Sequence, residues 1–211
     1  MYNCNYDRQE LKKIKNMFIK NSIDFYEKTK IVVSMIKKKH VKNEIILKYM
    51  EIYFENINFN MLNDNNDVFI ELAKNKRTVV LKNILNKENV NKLINKELCL
   101  YHACKNNQTK NISLLLNENI IIKSENLKLI LDNKNIDSFK IFLKKIKVDK
   151  EIISMILKKE WYPSIVVIIE NNEWVNKIDN EMIKNMEDRP LLIPILKKIK
   201  LKQIQKNIEV F

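Results

Sequence analysis

The tightest grouping of chemically capable residues is Cys99-x-x-His102-x-Cys104, whose thiols and imidazole are zinc-type donors. On one helix only residues three or four apart share a face, and three donors cannot close a tetrahedral site without a distant fourth. Cys4 is the remaining cysteine, and nothing in the sequence ties it to the cluster. The three residues read as core packing, with no metal expected. They also lack an orienting third group for a Cys–His nucleophile pair. His40 is the only other histidine. Glu187-Asp188, and Asp64 with Asp67, have the chemistry of acid–base pairs, yet with 31% charged residues adjacent acids belong to solvated surface. The chain also contains no glycine. Phosphate-cradling loops and nucleophile elbows depend on glycine's backbone freedom, so none can be written here. A non-enzymatic protein without cofactor or small-molecule substrate is expected.

Lysine is the more informative side chain. Basic residues number 39 against 26 acidic ones, giving a net charge of +13. The dominance of Ile, Lys and Asn looks like the coding bias of an AT-rich genome, which enriches lysine by mutation alone. The excess over acids still favours an anionic partner. Lysines cluster at Lys12-Lys13, Lys37-Lys38-Lys39, Lys144-Lys145, Lys158-Lys159 and Lys197-Lys198 with Lys200. Near a helix C-terminus each cluster also complements the macrodipole, which accounts for any one of them alone. Their recurrence points to a basic stripe that tracks a phosphate backbone. Arginine, the residue of bidentate base readout, occurs only at Arg8, Arg77 and Arg189, so docking is expected to be diffuse rather than sequence-specific. Trp161, Tyr162 and Trp174 fall in breaks between helical stretches. They either pack back onto a neighbouring unit or serve as exposed partner-binding anchors.

These residues need a scaffold, and from about Val68 onward the sequence supplies a repeating one. A short apolar helix, a polar break and a second helix with an aliphatic stripe recur. The copies begin at Leu72, Ala103, Ile130, Ile156 and Met182, 26 to 31 residues apart. Each helix pair exposes apolar faces on both sides and buries them only by stacking on neighbours. Asn106, Asn107, Asn133 and Asn172 are placed to act as left-handed caps instead of glycine. Pro163 and Pro190 suit second-helix starts, whereas Pro194 is expected to bend or shorten the last helix.

Leu100-Tyr-His-Ala103-Cys104, Asn107-Gln108 and Ile112-Ser-Leu114-Leu115-Leu116, with Ile165-Val-Val-Ile-Ile169, resemble the ankyrin repeat pattern T-P-L-H-x-A-A-x-x-G-H-x-x-V-V-x-L-L-L. Ala103 and Cys104 take the paired small positions. The resemblance implies an all-α helical-repeat solenoid whose connecting fingers are shortened to loops, and a general binding scaffold.

Before the array, Glu10 to Lys20, Ile23 to Lys39 and Glu44 to Glu55 show helical apolar spacing. Asn3, Asp7, Asn21 and Ser22 are candidate N-caps. Asn56 to Asp67 is the expected boundary, giving an N-terminal helical cap or bundle (1–66) and ankyrin-like repeats (67–211). The odd cysteine count, the lack of an apolar signal core and apolar runs no longer than Ile165–Ile169 predict a cytoplasmic protein without a membrane role. The leading expectation is docking through a lysine-rich face on structured RNA in a ribonucleoprotein such as the ribosome, as a ribosome-associated or dormancy factor. The alternative is an ankyrin-type protein–protein adaptor of a virus or parasite, binding an acidic protein partner.

Overall fold

The computed structural model describes residues 4–19, 23–57, 66–187 and 189–209. These residues are predominantly helical, with no strand among them. Asn3, Asn21, Ser22, Asp64, Asp188 and most of the Asn56–Asp67 stretch lie outside the described residues. The chain divides into two compact units, Met1–Ile120 and Ile121–Phe211.

In the first unit the helices are α1 (Cys4–Ile19), α2 (Phe25–Lys37), α3 (Asn43–Glu55), α4 (Asp67–Lys74), α5 (Thr78–Leu85), α6 (Glu88–Asn91), α7 (Lys96–Lys105) and α8 (Thr109–Leu115). Their packing follows a rule. The first helices of successive pairs, α2, α4 and α7, pack in a row, and the second helices, α3, α5 and α8, pack in another. The pair α2–α3 thus stacks on α4–α5 as α4–α5 stacks on α7–α8, and α1 lies against α3. Asp24 caps α2, accepting from the Glu27 N–H at 2.8 Å, and Asp7 lies inside α1. The core between the rows is formed by Val32, Ile36, Tyr49, Tyr53, Phe69, Leu72, Leu81, Leu100 and Ile112, all essentially inaccessible. Removing each such side chain from water stabilises the fold by roughly 1.5–3 kcal/mol. Ala73, Ala103 and Cys104 are also fully buried on α4 and α7, two helices that pack together.

The second unit repeats the scheme with α9 (Ser124–Asp132), α10 (Ile136–Leu143), α11 (Lys150–Lys158), α12 (Tyr162–Glu170), α13 (Asn172–Val175), α14 (Asn180–Glu187), a 3-10 turn (Pro190–Leu192) and α15 (Ile193–Glu209). Here α9, α11 and α14 form the first row and α10, α12 and α15 the second. Phe139, Phe142, Ile153, Ile165, Ile168 and Ile199 fill the space between them. Pro190 starts the 3-10 turn and Pro194 is the second residue of α15. The last helix begins only at Ile193, after the 3-10 turn, and Pro194 sits in its first turn, where a missing N–H costs nothing.

The tight turns inside the pairs show how a glycine-free chain reverses direction. Three of them are three residues long with a left-handed middle residue: Asn107 (φ 56°), Lys134 (φ 50°) and Glu160 (φ 54°). Of the asparagines expected in this role only Asn107 fills it. Asn106 and Asn133 have negative φ, and Asn172 opens the short helix α13. The left-handed residue lies two past the last helical one, so in two turns it falls on Lys134 and Glu160 whatever their propensity. The Gln108 N–H then reaches the Ala103 carbonyl at 2.9 Å, closing the end of α7.

An L-residue other than Asn in this region costs roughly 1–2 kcal/mol. Lys134→Gly is therefore expected to raise stability by up to about 1 kcal/mol, the added freedom of the unfolded chain offsetting part of the gain. Lys134→Val should lower it by at least as much. Urea-unfolding midpoints of the two variants check both signs.

Candidate functional site

Two polar side chains fix the edge of the first unit where its turns emerge. Arg77, only 9% exposed, precedes α5 and donates to the end of α2 and beyond. Its Nη2 reaches the Lys38 carbonyl (2.6 Å), Nη1 the Val41 carbonyl (2.8 Å) and Asn43 Oδ1 (3.2 Å), and Nε the Ile36 carbonyl (3.2 Å). Asn111, buried in α8, repeats the device one pair along. Its Nδ2 donates to the carbonyls of Leu72 (3.1 Å), Ala73 (3.0 Å) and Asn75 (2.7 Å), while Oδ1 accepts from Thr78 Oγ1 at 2.6 Å. Together they hold the turns at 38–42, 75–77 and 106–108 next to one another along one edge.

Lysines crowd that edge. The stretches 37–42, 74–77 and 105–110 carry Lys37, Lys38, Lys39, Lys42, Lys74, Lys76, Lys105 and Lys110 with His40, and not one acid. All of these but Lys74, which is half-buried, are exposed. Buried Glu71 pairs with two of these lysines: it accepts from Asn75 Nδ2 at 2.7 Å and lies 3.8 Å from the Lys37 ammonium and 3.7 Å from that of Lys74. No ion pair involves Lys38, Lys39, Lys42, Lys76, Lys105 or Lys110 among the described residues. Lys37, Lys74 and Lys105 lie in the last turns of α2, α4 and α7, where a cation complements the macrodipole, whereas Lys38, Lys39, Lys42, Lys76 and Lys110 lie outside those last turns.

The other expected lysines are placed differently. Lys12 and Lys13 are exposed on α1, and Lys144 and Lys145 follow the second helix α10, at the opposite end of a pair from the turns. Lys158 and Lys159 end α11, where Lys159 pairs with Asp132. Lys197, Lys198 and Lys200 project from α15, with Lys200 3.2 Å from Glu187. Arg189 is likewise engaged, 2.9 Å from Glu160 and donating to the Leu157 carbonyl at 3.3 Å. The sequence clusters thus do not gather into one stripe, and in the second unit acids from distant helices offset several of them. Lys74, Lys76, Lys105 and Lys110, absent from the expected set, join Lys37–Lys39 because Arg77 and Asn111 carry them there. Single lysines spaced about 30 residues apart at equivalent turns were the available signal.

Trp161 is 9% exposed, its ring edge-on to Phe139 with centroids 5.8 Å apart, so it is core and not a partner-binding anchor. It precedes α12, and Ser164 Oγ donates to its carbonyl at 2.7 Å. Tyr162 stands 51% exposed and Trp174 is half-buried.

Cys99 and Cys104 are buried thiols outside any disulfide, and burial pushes the Cys99 pKa up to about 12, well outside the range of a reactive thiolate. No cluster of three or more His, Cys, Asp or Glu side chains suited to a metal occurs among the described residues. Among them, no helix is long and apolar enough to cross a membrane. The His102 Nδ1 is buried without a hydrogen-bond partner. Desolvation lowers the His102 pKa below its ordinary 6.5, with Lys74 and Lys105 adding to the effect and Glu71 opposing it. Compared with protein-family models, curated proteins and solved structures, the chain matches none.

A histidine held neutral by folding stabilises the fold at high pH and opposes it on acidification, because the unfolded chain takes up the proton first. Stability should therefore decline as pH falls through about 6.5, and His102→Gln should flatten that decline. Urea midpoints at pH 7.5 and 5.5 for both proteins check the difference.

Proposed function

We propose that the protein is a non-enzymatic binding module that docks the lysine edge of its first unit on the phosphate backbone of structured RNA, within a ribonucleoprotein such as the ribosome. The observation that carries this reading is the alignment of three acid-free turns by Arg77 and Asn111. With helices packed 8–10 Å apart, the three turns span roughly 20 Å, which faces on the order of six phosphates of one strand. Lysine on flexible stems suits such a surface, since it neutralises charge without reading bases. Two of the three arginines are committed elsewhere: Arg77 and Arg189 bond the chain's own carbonyls.

Within each unit the helix pairs resemble ankyrin-like repeats of shortened length. With Ala103 and Cys104 at the paired small positions, Asn107 falls on the glycine of that pattern, and its φ of 56° is the conformation for which glycine is used there. Lys134 and Glu160 hold the same place after Ile130 and Ile156. The adaptor reading loses Trp161 as an anchor and keeps Tyr162 and the half-buried Trp174.

Co-sedimentation with ribosomes over a salt series, with and without RNase, tests the proposal. Retention should fall steeply with salt and vanish after RNase. The triple variant Lys37→Gln/Lys38→Gln/Lys39→Gln should weaken binding to any RNA alike and reduce the salt slope by about one per phosphate-contacting lysine. Lys144→Gln/Lys145→Gln should bind as the parent does. A protein that stays free at every salt concentration would sink the reading.

A further inference from the structure

We infer that the second unit carries a separate docking groove for a short acidic segment of a partner protein, one that inserts an apolar side chain between acidic neighbours. The groove is open and measures about 760 Å³. It follows the outer face of α11, bordered by Lys128 of α9 and Met182 of α14, the two helices that pack against α11. Its floor is Met155 with Met182, both half-buried. Thioether side chains are flexible and polarisable, and they mould to differing apolar groups.

The charge pattern selects the occupant. Lys128, Lys150, Lys158 and Lys159 ring the methionines, with Glu151 as the one acid in the lining. Lys150 holds Asp179 at 3.4 Å and Lys159 holds Asp132, while no ion pair involves Lys128 or Lys158 among the described residues. The two existing pairs are exposed, and such pairs contribute little, so a partner's carboxylate can replace either acid at small cost. A continuous run of phosphates would have to pass Glu151, Asp132 and Asp179, and no aromatic side chain lines the groove to stack a base. Isolated carboxylates on either side of an apolar residue meet the two unengaged lysines and the methionine floor without that conflict. From Lys150 to Lys158 the helix rises about 12 Å, which about four extended residues cover.

Panning a display library of random eight-residue peptides against the full chain tests this. Enriched peptides should place at least two acids within three residues of a Leu, Met, Ile or Phe. A labelled enriched peptide should lose at least about tenfold in affinity to Lys128→Glu/Lys158→Glu, with the milder Lys128→Gln/Lys158→Gln weakening it in the same direction. Met155→Gln should weaken it about fivefold, and Lys144→Glu/Lys145→Glu should leave it unchanged. Excess hairpin RNA should not displace the peptide. Failure to enrich acid-flanked peptides, indifference to both Lys128/Lys158 variants, or displacement by the RNA, which would assign the groove to nucleic acid, overturns the inference. None of these outcomes bears on RNA docking by the first unit, whose lysines lie outside the groove.

Discussion

Each α-helix ends with carbonyls that its own ladder leaves without donors, and a chain lacking glycine must close those ends with residues that carry side chains. Much else in this structure follows from that constraint. Where the turn takes a left-handed residue, Asn107, Lys134 or Glu160 accepts a conformation unfavourable to L-amino acids, so that the helix pair can reverse within three residues. Where it does not, the end is closed from outside, by Arg77 for α2 and Asn111 for α4. The second solution ties adjacent pairs together, because the donor always comes from the next pair. Buried carbonyls robbed of such a donor would cost roughly 1–3 kcal/mol each, so these two side chains are integral to the stacking.

That closure also determines which lysines act together. In sequence the clusters look alike, each sitting near a helix end. In the folded chain they differ by what lies across from them. Asp132 meets Lys159, and Glu187 meets Lys200, each from a separate helix. Along the edge of the first unit no acid among the described residues pairs with a lysine, apart from buried Glu71 with Lys37 and Lys74. A positive field able to hold a polyanion comes from cations without local counter-charges, so this edge carries more of the electrostatic argument than the overall excess of lysine.

The aliphatic stripes of the second helices were legible because a buried face at helical spacing leaves an unmistakable pattern; Ile165, Ile168 and Ile169 are buried as that pattern requires. The all-helical class followed from the same signal. Trp161 was half legible: a large residue in a polar break leaves packing and exposure both open until Phe139, 22 positions earlier, supplies the surface for its ring. The left-handed turns were half legible: asparagine's preference identified Asn107, but geometry set the position at Lys134 and Glu160 against preference. The stacking of α2–α3 in register with the later pairs escaped notice because its turn, at 38–42, is longer and the sequence spacing to α4 breaks the period. The capping roles of Arg77 and Asn111 had no local signature, since their partners lie about 40 residues away.

The central claim is that one edge, assembled from three turns, is the face that meets RNA. Lysine acetylation footprinting by mass spectrometry, on the protein alone and bound to ribosomes, tests it residue by residue. The account predicts protection of Lys37, Lys38, Lys39, Lys76 and Lys105 together, with Lys144, Lys145, Lys197 and Lys198 labelled equally in both states. Protection confined to those latter lysines, or spread evenly over the chain, would contradict it.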